Sequence, residues 1–374
     1  PQQYKQLDGV GGSAYGRVRL SNLDTRRLTP EEKGNINRLP DGARVYRIDN
    51  LTSQSVGRQK GEGAASWFPV QFEGSVLRPS EKVRWKTNEQ GMARLKIAGR
   101  LEATDGGLYY VRYFDDFPVF PLSDMWTDTG IAGFASEKVY VVETSPKVVE
   151  RCLLMATDPG DLVLDPTCGS GTTATVAEQW GRRWITIDTS RVALALARAR
   201  VMSARYPYYL LADSKEGRLK ESEVTGRPPV DAASYGDIRR GFVYERAPHI
   251  MLSSIVRNAE IDVIWEEFQA KLEPLRRDLN AALGTKWEEW EIPREADSGW
   301  SEKAKTVHVA WWKQRIARQK KIDESIAKNA DVELLYDRPY EDKSRVRVAG
   351  PFTVESLSPH RVVPSSEGYH VPDA

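Results

Sequence analysis

The stretch Asp161-Leu-Val-Leu-Asp-Pro-Thr-Cys-Gly-Ser-Gly-Thr-Thr173 constrains the fold of this chain more than any other. Leu162 to Leu164 is an apolar run of the length of a buried strand, and Asp165-Pro166 ends it. Gly169 and Gly171 flank Ser170, so the backbone can turn tightly and approach a ligand closely. From Thr172 the sequence predicts a helix, stopped by Gly181 after Trp180. Arg183-Trp-Ile-Thr-Ile-Asp188 then predicts a second strand ending in an acid, 23 residues after Asp165. That offset is near the ~20 residues of a ribose-binding acid. Strand, glycine loop, helix, strand and acid together predict a nucleotide-type cofactor site at the carboxyl edge of a parallel sheet. Gly-x-Gly-x-x-Gly is not present, which disfavours a dinucleotide. An ordinary strand-to-helix turn accounts for two glycines but not for the whole string and its spaced acid.

The loop resembles that of the S-adenosylmethionine-dependent DNA amino-methyltransferases, which methylate adenine N6 or cytosine N4. Their usual wording is Asp-Pro-Phe-Cys/Ala-Gly-Ser/Thr-Gly-Thr-Thr, and this chain has Thr167 in place of Phe. The change removes an aromatic wall and leaves the glycines. Thr144-Ser-Pro-Lys147 is similar to the family's Thr-Gln-Lys-Pro-like motif, and Asp124-Met-Trp126 to its Asp-Val-Trp segment. The resemblance covers roughly residues 105–215 and implies S-adenosyl-L-methionine as cofactor. It places the contacts on Asp165, Thr167, Cys168, Gly169, Ser170, Gly171, Thr172, Thr173, Asp188, Ser190 and Asp213, with Thr144 and Lys147 at the methionine end.

The chain has 374 residues, enough for two or three domains. No apolar run approaches the ~18 residues of a membrane span. Two cysteines, one of them in the loop, make no disulfide framework, and the polar start Pro1-Gln-Gln-Tyr does not read as a signal peptide; a reducing cytoplasm is expected. The net charge of +1 means that any nucleic-acid-binding surface is local. The four scattered histidines show no zinc spacing.

The expected fold is α/β: a Rossmann-like methyltransferase core with a small β-rich inserted module and a helical C-terminal region. Residues 1–40 read as a linker or part of an upstream core, with a short helix after Thr29-Pro30. Residues 41–120 read as the β-rich module, with a helix over 91–101, and 121–215 as the cofactor core. A charged boundary follows at 216–248, then a helical domain over 249–330 built as an antiparallel pair, then a strand pair and tail over 331–374. Between Arg78 and Arg100 seven Lys/Arg face two acids, with Trp67 and Trp85 nearby. Arg78, Lys82, Arg84 and Lys86 are therefore candidates for phosphate contact, against the alternative of a solvated face. The five positive charges of Lys313–Lys321 read rather as a solvated helix face.

In the family an Asp/Asn/Ser-Pro-Pro-Tyr/Phe tetrapeptide holds the flipped base and its amino group. The nearest wording here is Asp337-Arg-Pro-Tyr340, with Arg338 in place of the first proline. The order of segments around the loop is similar to that of Type III-like modification subunits. The catalytic tetrapeptide is then expected upstream of Pro1, and Asp337 and Tyr340 stay as a degenerate alternative. The resemblance implies a site-specific DNA methyltransferase, adenine N6 preferred, with double-stranded DNA as partner and no membrane. A restriction subunit and a homodimer stay open. So do two other functions: an RNA or small-molecule methyltransferase, and a non-catalytic DNA-binding or scaffold subunit.

Overall fold

The computed structural model describes residues 2–4, 11–54, 59–126, 128–129, 143–229 and 232–356. The chain forms two compact units, one of Pro1–Trp126 with Tyr244–Pro339, the other of Thr127–Val243 with Tyr340–Ala374. Each combines helices with strands.

The first unit holds a five-stranded antiparallel sheet in the order Thr25–Arg27, Arg17–Arg19, Arg44–Asn50, Gly107–Tyr113, Leu101–Thr104. Two of these strands lie within the stretch read above as a linker. The pairs Val18–Val45 and Val111–Ile48 set the register. The short helix Pro30–Gly34 begins where the Thr29-Pro30 signal places it. Thr29 and Glu32 close a reciprocal capping box, and Arg26 pairs with Glu32 at 2.6 Å.

Glu89–Ile97 is a helix capped by Asn88, shorter than the predicted 91–101 because Leu101 already opens a strand. Leu252–Arg257 and Glu260–Leu283 precede the long helix Glu302–Lys328. Ile261, Ile264, Phe268, Leu272 and Leu279 recur at helical spacing and are buried, together with Trp311, Ile322 and Ile326. Bonds from Ser325 to Glu260 (2.7 Å), Lys321 to Glu267 (2.7 Å) and Arg318 to Gln269 (2.9 Å) show the two long helices antiparallel.

One ion pair lies wholly in the interior of this unit. Arg100 and Asp116 are fully buried and joined through two bonds of 2.6 and 3.0 Å, and Asp116 also accepts the Tyr113 N–H at 2.8 Å. The carboxylate beside it raises the Arg100 pKa against the cost of burial. The guanidiniums of Arg44 and Arg100 lie 3.8 and 4.4 Å from the Tyr113 ring centre.

The second unit contains a parallel pair, Leu162–Asp165 with Arg183–Thr186, and an antiparallel pair, Tyr206–Tyr209 with Glu341–Arg347. Helices Pro146–Ala156, Thr172–Gln179, Arg191–Ser203 and Lys215–Thr225 accompany them. The last of these occupies part of the stretch read as a boundary. Leu153, Val176, Ala177 and Trp180 form the core, with Val163 and Trp184 packed against it from one face of the parallel pair. The opposite face carries Leu162, Leu164, Ile185 and Ile187, each about half exposed. Among the described residues no helix is long and apolar enough to cross a membrane, and no His/Cys/Asp/Glu group could hold a metal ion.

Candidate cofactor site

The two parallel strands end side by side, Asp165 opposite Thr186, and the glycine loop leaves from their carboxyl edge. Ladder bonds continue past the strand ends. Ile187 N–H donates to the Asp165 carbonyl and Cys168 N–H to the Ile187 carbonyl, both at 2.8 Å. The loop is thus stitched to the second strand. Thr167 N–H donates to Asp165 Oδ1 at 2.9 Å, which fixes the turn at Pro166.

Both glycines take positive φ, 50° at Gly169 and 76° at Gly171. Gly171 opens the helix Thr172–Gln179 from the left-handed region. A Cβ built on it would stand 2.7 Å from Ala197 Cβ and 2.9 Å from Ala197 Cα. Its lack of a side chain therefore serves the packing of the loop on the helix Arg191–Ser203.

Asp188 emerges as the loop's latch. Its Oδ2 accepts the Gly169 N–H and its Oδ1 the Ser190 N–H, both at 2.8 Å. These two bonds, that from Ser190 first, hold its carboxyl below the ordinary range. Each oxygen keeps a further lone-pair direction, so ribose hydroxyls can still be accepted. Ser190 also caps its helix, its Oγ accepting the Ala193 N–H at 3.3 Å. Cys168 is buried at 4% exposure, and desolvation raises its pKa.

Beneath the loop lies a network that the sequence reading missed. Arg200 Nη1 donates to Glu143 Oε1 (2.8 Å), Ser170 Oγ (3.1 Å) and Thr172 Oγ1 (3.1 Å). Ser170 and Thr172 are buried and share a 2.9 Å bond, so their hydroxyls brace the loop from inside. Thr173 is half-buried in the first turn of the helix. No pattern in the sequence marks Arg200, since it sits in an ordinary alanine-rich helix.

Asp213 is buried and takes donors from Arg218 Nη2 (2.9 Å), Tyr235 N (3.2 Å) and Asp237 N (3.2 Å), which makes it a holder of the backbone at Tyr235–Asp237. Lys147 pairs with Asp128 at 2.6 Å, which Arg151 also grips through two bonds of 2.7 and 2.8 Å. Thr144 is exposed.

Of the seven basic residues in 78–100, Arg94 and Arg100 point inward, to Asp262 and Asp116. Arg78 and Lys82 are exposed; Lys86 Nζ reaches the Asn50 carbonyl at 2.5 Å, and Arg84 Nη1 reaches Ser66 Oγ at 3.3 Å. Trp85 is core, its indole N–H donating to the Phe68 carbonyl at 2.9 Å.

Asp337 lies near the end of the strand Asp331–Pro339, in the irregular stretch between Leu335, opposite Glu245, and Pro339, opposite Tyr244. Tyr340 belongs to the second unit, its N–H donating to the Val243 carbonyl and its carbonyl accepting the Leu210 N–H, both at 2.8 Å.

Residues 118–199 match the family model described as DNA methylase. Within curated proteins, the chain is 46% identical over 65 residues to the Type II methyltransferase M.BamHI of Bacillus amyloliquefaciens, covering 17% of this chain and 15% of that one. It is 37% identical over 86 residues to the Type II methyltransferase M2.DpnII of Streptococcus pneumoniae, covering 21% and 30%. It is 36% identical over 83 residues to M2.LlaDCHI of Lactococcus lactis subsp. cremoris, again covering 21% and 30%. The chain thus spans less than a third of the length of these relatives. The matched segment is similar to that of the N6/N4 DNA methyltransferases, a class whose methyl donor is S-adenosyl-L-methionine. The glycine loop and the Asp188 carboxylate suit that group: small residues where a backbone must approach, and an acid with acceptor capacity to spare.

Proposed function

We propose that this chain carries the S-adenosyl-L-methionine-binding part of a site-specific DNA amino-methyltransferase, built on a Rossmann-like core, with adenine N6 as the preferred target. The carrying observation is the geometry at the carboxyl edge of the parallel pair: Asp165 and Asp188 frame a loop whose Gly169 N–H is tied to Asp188 at 2.8 Å. Methyl transfer from a sulfonium needs a cofactor held in line with an amino nitrogen and little covalent help. The chain supplies the first requirement. For the second, Asp337-Arg-Pro-Tyr340 carries Arg338 where the family has a proline that fixes φ, and Tyr340 is tied by its backbone to Val243 and Leu210. We therefore assign the base-activating residues to sequence outside these 374 residues. The type names of the relatives favour a role in restriction–modification.

Calorimetry with S-adenosylhomocysteine tests the cofactor assignment, and absence of binding sinks it. A tritiated-methyl transfer assay on mixed-sequence duplex DNA tests the division of labour. The wild-type chain alone is expected to be inactive. Robust transfer that disappears in Asp337→Ala would place catalysis at Asp337 instead.

A further inference from the structure

The first unit contains a cavity of about 420 Å³, remote in sequence from the glycine loop, whose walls include Trp265, Trp290, Trp312, Arg294, Arg315 and Glu289. Two features of it point to a ligand.

The first is unbalanced charge. Glu289 Oε1 serves two guanidiniums, Arg315 at 2.7 Å and Arg318. Arg294 donates only to neutral acceptors, the carbonyls of Asn22 (2.5 Å) and Leu23 (2.9 Å). Among the described residues Glu289 is thus the one carboxylate bonded to any of these three arginines, with Asp24 and Asp323 acting on Arg294 and Arg315 from further off. The other acids in the wall do not cancel the excess. Glu288 is taken by Arg276 at 2.5 Å, and the exposed Glu73 pairs with none of the three arginines among the described residues. Desolvation first, and then the neighbouring Arg315, depress Arg294 to about 10, and desolvation lowers Arg315 as well. An anion here relieves both.

The second is an open aromatic wall. Trp290 is 48% exposed and has no ring partner among the described residues. The faces of Trp312 and Trp265 are already covered by Arg294 (4.1 Å) and Arg318 (3.9 Å). A flat ring to stack on and surplus guanidinium beside it are the chemistry of a nucleotide: base on tryptophan, phosphate on arginine.

We infer that this cavity takes a single unstacked nucleotide, its base against Trp290 and its phosphate at Arg294 and Arg315. A base inside a duplex stack presents only its edge and cannot offer that face, so the nucleotide is one displaced from the stack or lying in a single strand. Reading its source as a DNA strand rests on the function proposed above; a free nucleotide shares the chemistry.

The test uses the full chain, with a fluorescein-labelled oligothymidylate followed by anisotropy and thymidine monophosphate followed by tryptophan fluorescence. The variants are Trp290→Ala, Trp290→Phe and Arg294→Gln. Trp290→Ala and Arg294→Gln are each expected to weaken oligonucleotide binding about fivefold or more, and Trp290→Phe to restore most of it. S-adenosylhomocysteine affinity and the thermal midpoint should stay unchanged. Variant-sensitive binding of the monophosphate without the oligonucleotide supports a nucleotide site filled from the free pool. Neither ligand binding, or binding indifferent to both variants, overturns the inference. A wild type that binds the oligonucleotide but not S-adenosylhomocysteine refutes the cofactor reading and leaves this one standing.

Discussion

Gly169 and Asp188, 19 residues apart in sequence, are joined by a 2.8 Å hydrogen bond from a loop amide to the acid at the end of the neighbouring strand. The acid predicted to meet the ribose also holds the loop's backbone in place. Asp188→Ala should therefore reduce S-adenosylhomocysteine affinity through two losses, the direct bonds and the preset loop. The direct part alone is about 1.5–3 kcal/mol for bonds to a charged group. Calorimetry on both proteins measures it, and equal affinities would remove Asp188 from the site.

The Arg100–Asp116 pair is fully buried, so its halves are not separable. Asp116→Asn leaves a guanidinium in the interior with a weaker partner and should cost about 3 kcal/mol or more in urea unfolding. Replacing both residues, Arg100→Met with Asp116→Leu, should cost less than the single change. A milder single mutant would mean that water reaches the pair.

Glu32 gives the first unit a pH dependence with a definite sign. The Arg26 side chain, and then the Thr29 N–H, hold its carboxyl at about 2, below its ordinary 4.5. A depressed carboxyl stabilises the fold above its unfolded value and ceases to do so as pH falls through the folded one. The urea midpoint, followed by tryptophan fluorescence, should therefore decline between pH 4.5 and 2. In Glu32→Gln that component should be absent. An identical decline in the variant would assign the loss to other carboxylates.

Arg84 and Lys86 stand at the part of the basic stretch that does not point into the core. If they lie on phosphates, Arg84→Ala and Lys86→Ala should each lower the magnitude of the log-affinity against log-salt slope for duplex DNA by about 0.9. Unchanged slope and affinity would leave them a solvated face.

The loop and its flanking strands were legible because glycine, proline and a spaced acid are local signals, fixed by backbone geometry within about thirty residues. The long helices were legible from the recurrence of Ile261, Ile264, Phe268 and Leu272. What escaped depends on distant pairing. Arg17–Arg19 and Thr25–Arg27 are too short and too polar to announce strands, and only the ladder to Arg44–Asn50 makes them so. Arg94, Arg100 and Arg318 read as surface charge because nothing near them in sequence reveals Asp262, Asp116 and Glu289. The Arg200–Glu143 contact, 57 residues apart, hid for the same reason.

The close approach of Gly171 to Ala197 has a mechanical consequence. With backbone resting on Cβ, the loop has no slack on that side and cannot swing toward the helix Arg191–Ser203 on its own. Any rearrangement that admits a cofactor must carry loop and helix together, as one lever with its fulcrum at the second strand. Arg200, clamped to Ser170 and Thr172 from the same helix, ties the far end of that lever to the loop as well. Opening is then an all-or-none displacement of a packed block, and amides at the loop and along the helix should exchange with solvent in step.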